Sequence, residues 1–94
     1  MSIRYTPKPD VVTTEIENTE LVLLDLRTRR YYTLNETGMF IWQRLAKGSQ
    51  PDEIAAAFSA EWSLSPEEGR SEVLKLLGEL ESEGLVIRAD SAAE

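Results

Sequence analysis

The sequence predicts an α+β fold in which a three-stranded antiparallel sheet is followed by three α-helices. Residues 11–34 are rich in β-branched and aromatic side chains and are interrupted by short polar turns. Residues 35–84 repeat apolar side chains at helical spacing, between capping residues and glycines that end helices. A chain of 94 residues builds one modest core, so we expect a single domain over 1–94, ordered from about 8 to 87 with a frayed tail.

The three strands are expected at the start of the domain. Val11–Ile16 is rich in β-branched residues and precedes a polar turn. Residues 21–26 are a continuous apolar run, typical of a central strand that is buried on more than one side. Arg30–Leu34 is the third strand, with dense aromatic and β-branched side chains. Because the connections are short, the strands should be antiparallel neighbours with the second in the middle.

The three helices are predicted from their ends. Asn35 is the expected N-cap of the first helix, which should stop at Gly48. Ser49 is the expected start of the second, since Pro51 suits a first helical turn. Ser65 is the expected N-cap of the third helix, and its capping signal is the clearest of the three. The apolar residues expected to face the core are Gly38, Ile41, Trp42 and Leu45, then Ile54, Ala55, Ala57, Phe58 and Trp62, then Val73, Leu76, Leu77 and Leu80.

The third helix has the most complete set of boundary residues. Ser65, Pro66 and Glu68 form a capping box with proline at the first helical position, and Gly84 ends the helix. Residues 85–87 should return as a short strand or pack beneath the sheet. The small polar residues from 88 onward are expected to fray.

Composition makes an enzyme improbable. The chain contains no histidine and no cysteine, which removes the usual general base near neutral pH and the usual ligands of transition metals. Pairs of acidic residues are best interpreted as solvated surface or as favourable charge at helix N-termini. We therefore predict a protein that is not an enzyme, with no cofactor and no metal, and that works by binding another polypeptide.

The charge distribution argues against a nucleic-acid partner. The net charge is −7, and residues 48–94 carry three basic and eleven acidic side chains. A predominantly acidic helical half would repel phosphates, whereas nucleic-acid binders have basic helices. The N-terminus has no apolar run and no stretch approaches the roughly 20 apolar residues of a membrane span, so a cytoplasmic protein without membrane partners is expected.

The two edges of the predicted sheet differ. Pro7, Pro9, Glu15 and Glu17 lie on or before the first strand and discourage another strand from pairing there. The third strand carries no proline and no acidic residue, so an extended peptide could add to this edge.

Side chains around the third strand are candidates for contacts with such a peptide. Adjacent strand residues point to opposite faces, so Tyr31 should be exposed and Tyr32 should face the core. The connection before this strand contains three basic residues, Arg27, Arg29 and Arg30. They form either an ordinary charged turn or a basic patch that attracts an acidic partner.

Three segments of the sequence resemble one protein family. They are LNETGMFIW at 34–42, DEIAAAF at 52–58 and LGELESEGLV at 77–86. In this order and spacing they are similar to the PqqD family, and the resemblance covers about residues 8–87. It implies a winged-helix-like fold and a stand-alone recognition element for ribosomally synthesised, post-translationally modified peptides. Such proteins bind the leader of a precursor peptide as an added strand and present it to a modifying enzyme, such as a radical-SAM protein or a leader protease. Pyrroloquinoline quinone (PQQ), lasso-peptide and related pathways use them.

The resemblance places the leader beside the third strand and against the third helix. Leu74 and Gly78 lie one turn apart on one margin of this helix and form a possible notch for an apolar leader side chain. If they do not form the pocket, the margin near Glu72, Leu76 and Glu83 is the alternative. The residues expected to bind the peptide are Arg29, Arg30, Tyr31, Tyr32, Thr33, Arg70, Leu74, Leu77, Gly78 and Glu81.

Two other functions compete with leader binding. One is a winged-helix DNA-binding regulator, although the strands here precede all the helices and the third helix has only Arg70 and Lys75 as cations. The other is a small subunit that stabilises a partner enzyme.

Overall fold

The protein consists of five strands and three helices over residues 3–90, which are the residues that the computed structural model describes. In chain order the elements are β1 Ile3–Pro7, β2 Val11–Ile16, β3 Glu20–Asp25, β4 Arg30–Leu34, α1 Glu36–Ala46, α2 Pro51–Trp62, α3 Pro66–Ser82 and β5 Val86–Asp90. The strands β2, β3 and β4 form an antiparallel sheet with β3 in the centre. The predicted α+β fold is therefore confirmed, and the central strand begins one residue earlier than expected.

A second, two-stranded sheet joins the two ends of the domain. Strand β1 pairs antiparallel with β5, and Tyr5 lies opposite Arg88. Strand β1 was not predicted from the sequence, and residues 88–90 were expected to belong to a frayed tail. Tyr5 is half-buried and Val86 is buried, so both strands are fixed by contact with the core. Residues 91–94, also expected to fray, lie outside the described part of the chain.

The helix starts follow local rules of capping. The Asn35 side chain accepts a hydrogen bond from the Gly38 N–H at 2.9 Å, and Ser65 forms the predicted capping box with Glu68. The prediction of Ser49 as the start of α2 is wrong. Gln50 is the N-cap, because a proline at the first helical position requires an extended residue immediately before it.

One hydrophobic core lies between the three-stranded sheet and the helices. Leu21 and Leu23 of β3 contribute to it from the sheet, and the predicted apolar face of α1 is buried in full. Among the residues predicted to be core, Ala57, Trp62 and Leu76 are only half-buried. No helix within the described residues is both long and apolar enough to cross a membrane.

Gly69 allows α2 and α3 to pack closely. A Cβ atom at this position would overlap the hydroxyl of Ser59 on α2. Ser59 is buried, and its hydroxyl donates to the Ser65 carbonyl at 3.2 Å, which ties the end of α2 to the start of α3. This contact helps to fix the position of α3.

Candidate functional site

A groove lies between β4 and α3, with a cavity volume of about 420 Å³. One wall is the last part of β4, and the other is one margin of α3. Phe58 of α2 and the start of α1 close the far end. The residues that form the two walls are Tyr32, Thr33 and Leu34 on β4, and Glu72, Lys75, Leu76 and Glu79 on α3.

The outer edge of β4 presents unpaired backbone groups beside this groove. The Arg29 N–H donates to the Asp25 carbonyl at 2.8 Å, so Asp25 directs its backbone polar groups toward β4. Asp25 lies opposite Arg30, so at this position the backbone groups of β3 face β4, although the Arg30 N–H itself donates to the Thr28 hydroxyl at 3.3 Å. Positions that face the neighbouring strand alternate along an antiparallel ladder, so Tyr31 and Thr33 direct their N–H and C=O groups away from β3. Within residues 3–90, no strand pairs with β4 on that side.

A hydrogen bond joins the two walls of the groove. The Tyr32 hydroxyl donates to the Glu79 carboxylate at 3.0 Å. Partial burial raises the pKa of Tyr32, and the carboxylates of Glu79 and Glu83 raise it further. Tyr32 therefore lies close to two carboxylates at the C-terminal end of α3.

The far end of the groove opens into an apolar recess. This second cavity has an apolar part lined by Phe58, Trp62 and Leu64 and a polar part lined by Glu67, Glu68 and Ser71. It shares Thr37, Phe58 and Glu72 with the groove. The rings of Phe58 and Trp62 pack with their centroids 5.0 Å apart. An apolar side chain that enters here would lose its contact with water, which favours binding.

The turn between β3 and β4 places a basic cluster at the other end of the groove. The Asp25 carboxylate accepts hydrogen bonds from the N–H groups of Arg27 and Thr28 at 2.9 and 3.3 Å. The Arg27 N–H is the main reason that the pKa of Asp25 lies below its ordinary value. Arg29 has a left-handed φ of 66°, and Arg27, Arg29 and Arg30 are all exposed. The turn geometry thus holds three guanidinium groups at the start of β4.

Only some of the residues predicted around β4 line the groove. Tyr32 and Thr33 line it, whereas Arg29 and Arg30 are exposed at the β3–β4 turn, beyond its open end, and do not line it. Peptide contacts by the two arginines stay a prediction. Tyr31 is 72% exposed and points to the face of the sheet away from the helices, as the alternation predicts.

The residues predicted on α3 are not brought to the groove. Arg70 is 3.5 Å from Asp52 at the start of α2, Leu74 is 47% exposed, and Gly78 and Glu81 share this margin. Leu77 is fully buried beneath the helix. The open space around Gly78 contains no other heavy atom within 4 Å of a Cβ, so no neighbouring group forms a wall there. Peptide contacts by these residues stay a prediction, and the groove favours the alternative margin of α3.

Three residues that line the groove were not among the predicted peptide-binding residues, namely Glu72, Leu76 and Glu79. Glu72 and Leu76 belong to the margin named as the alternative. Helical periodicity identifies both margins of α3 equally, and only the contact between Tyr32 and Glu79, 47 residues apart, distinguishes them. Among the described residues, no group of three or more side chains is suited to hold a metal ion.

Comparison with known proteins gives one family and two similar structures. The family model of coenzyme PQQ synthesis protein D (PqqD) matches residues 20–86. The structure of TbiB1 in complex with the TbiA(beta) leader peptide has a TM-score of 0.81 and 32% identity, covering 86% of this chain and 93% of that one. A lasso peptide synthetase B1 complexed with the leader peptide has a TM-score of 0.79 and 25% identity, covering 93% of this chain and 99% of that one. A search of curated proteins gives no match.

Proposed function

Because this chain belongs to the PqqD family, we propose that it binds the leader segment of a ribosomally made precursor peptide. It then presents the rest of that peptide to a modifying enzyme, in a PQQ, lasso-peptide or related pathway. The observation that carries this proposal is the open edge of β4 beside the groove between β4 and α3. The two similar structures are both complexes with leader peptides, which supports it.

The leader would bind by adding a strand to β4. Tyr31 and Thr33 supply outward N–H and C=O groups for main-chain hydrogen bonds. Alternate leader side chains would then enter the groove between β4 and α3, and the apolar recess at Trp62 and Leu64 would accept a side chain at the far end.

The chemistry would be supplied by a partner enzyme, such as a radical-SAM protein or a leader protease. The chain has no histidine or cysteine, and at the groove the Glu79 carboxylate accepts the hydrogen bond of the Tyr32 hydroxyl. The role of the chain in the reaction is therefore recognition and delivery.

We expect the cognate leader to bind with a dissociation constant of about 10 nM to 10 μM. A disordered peptide loses chain entropy when it becomes a strand, which limits its affinity for the area it buries. Calorimetry with the leader of a precursor encoded beside this gene measures the value.

A duplex DNA of random sequence is the control, at low and at physiological salt. No leader binding up to about 100 μM would contradict the proposal, and salt-sensitive DNA binding would favour the regulator instead.

Replacement of both Arg29 and Arg30 by glutamine should slow leader association and flatten its salt dependence, with little change in dissociation. Exposed charges at the rim of a binding site mainly raise the association rate constant and have a smaller effect on the dissociation rate constant. Stopped-flow measurements at low and high salt separate the two rate constants.

The matched control replaces Lys47 and Arg88, which are also exposed but lie away from the groove, by glutamine. It changes the net charge equally. Equal association rates of the wild type at both salt concentrations would show that the arginines only complete the turn.

A further inference from the structure

A charged, an aromatic and an apolar side chain follow one another along the groove-facing side of β4. Arg30, Tyr32 and Leu34 occupy alternate positions, so they share the face toward the helices. Leu34 is buried, Tyr32 is half-buried and Arg30 is exposed at the open end. Neighbouring members of this row are about 7 Å apart, which matches the spacing of alternate side chains in an added strand.

Side chains at the α3 wall place negative charge beside Tyr32, the central residue of this row. Glu79 accepts the hydrogen bond of Tyr32, and Glu83 is close enough to help raise the Tyr32 pKa. Lys75 is the one cation that lines the groove among the described residues. A side chain that enters beside Tyr32 would therefore meet an excess of negative charge.

The far end of the row is apolar but has an acidic border. Leu34, Leu76 and Phe58 line it, and the carboxylates of Glu20 and Glu72 lie at its rim. An acidic leader residue would be repelled here as it would be at Tyr32.

Arg30 at the open end is the one cation of the β4 row, while Lys75, which also forms no ion pair within 4.0 Å among the described residues, lies on the α3 wall. Asp25 lies opposite Arg30, but its carboxylate is engaged by the N–H groups of Arg27 and Thr28. Within the described chain, the one ion pair shorter than 4.0 Å is Arg70 with Asp52, so Arg30 has no carboxylate partner at that distance.

We propose that the groove selects peptides by the order of their charges. Counted from the β3–β4 turn, alternate groove-facing residues of the bound strand are acidic beside Arg30, basic beside Tyr32 and Glu79, and apolar beside Leu34 and Leu76. The ligand is thus a peptide of the pattern apolar–x–basic–x–acidic, if it runs antiparallel to β4, or the reverse if it runs parallel. This inference rests on the proposed strand addition at β4.

A random peptide library tests the inference without knowledge of the natural leader. Peptides of about 15 residues are selected by display on the purified wild-type protein, and binders are aligned on their apolar anchor. We expect about two- to fivefold enrichment of acidic residues four positions from the anchor and of basic residues between them, the range of exposed ion pairs.

Variants with a reversed charge test which residue of the protein determines the preference at each peptide position. Selection on Arg30→Glu should replace the acidic preference by a basic one at the outer position only. Selection on Glu79→Lys should change only the central position. Arg30→Gln, which keeps a neutral polar side chain, should abolish the outer preference without reversing it.

The outcomes separate this inference from the proposed function. Binders that are lost on Thr33→Pro but keep the same charge order on Arg30→Glu, or show no order, would overturn the inference and leave strand addition intact. If no peptides are recovered on the wild type, or if the recovered binders are indifferent to Thr33→Pro, the proposed function itself is overturned.

Discussion

Thr33→Pro is expected to weaken leader binding about 10- to 100-fold, because it removes one main-chain donor and places a ring at the peptide-facing edge of β4. The Thr33 N–H points away from β3, so the native ladder loses no hydrogen bond. Tyr31→Pro should act in the same way, since Tyr31 has the same orientation. Isothermal titration with the leader measures the effect, and thermal unfolding shows that the variant is folded.

The opposite edge of the sheet supplies a matched control. Thr13 of β2 is also an exposed threonine on an edge strand. The Leu26 N–H donates to the Asp10 carbonyl at 2.9 Å, and alternation from that pair directs the Thr13 N–H away from β3. Thr13→Pro should therefore cost similar folding stability and leave leader binding unchanged. Equal losses of binding in the two variants would mean that the effect comes from general loosening of the sheet.

Local signals in the sequence were sufficient for most of the fold. The order of strands and helices follows from patterns within a few residues, such as the capping box at Ser65 and the apolar run of β3. The pairing of β1 with β5 was not predictable in this way. The two strands are separated by almost the whole chain, and neither shows a clear alternation of apolar and polar residues.

The β4 residues of the candidate site could be predicted from the sequence, whereas the α3 residues that line it could not. The open edge of β4, the exposure of Tyr31 and the inward orientation of Tyr32 follow from strand alternation. The margin of α3 that faces β4 depends on how the helix is rotated in the core. That rotation is fixed by distant contacts, such as the close approach of Gly69 to Ser59, which periodicity does not contain.

Leu76→Ala is expected to weaken leader binding by about 1–3 kcal/mol, since Leu76 lines the groove and is half-buried without a ligand. A truncation here removes apolar surface that a bound strand would cover. Its cost to folding should be smaller than the roughly 2–5 kcal/mol expected for Leu77→Ala, whose side chain is fully buried. Titration calorimetry and chemical unfolding of the two variants separate the effects on binding and on stability.

Leu74→Ala is the matched control, because it makes the same truncation two residues away on the margin that does not line the groove. Its effect on binding should stay within about 0.5 kcal/mol, as for an exposed residue without a partner. Gly78→Leu on the same margin should stabilise α3 by roughly 1 kcal/mol through helix propensity and leave binding intact. If Leu74→Ala and Gly78→Leu impair binding while Leu76→Ala does not, the leader lies against Arg70, Leu74, Gly78 and Glu81, and the groove beside β4 is not its site.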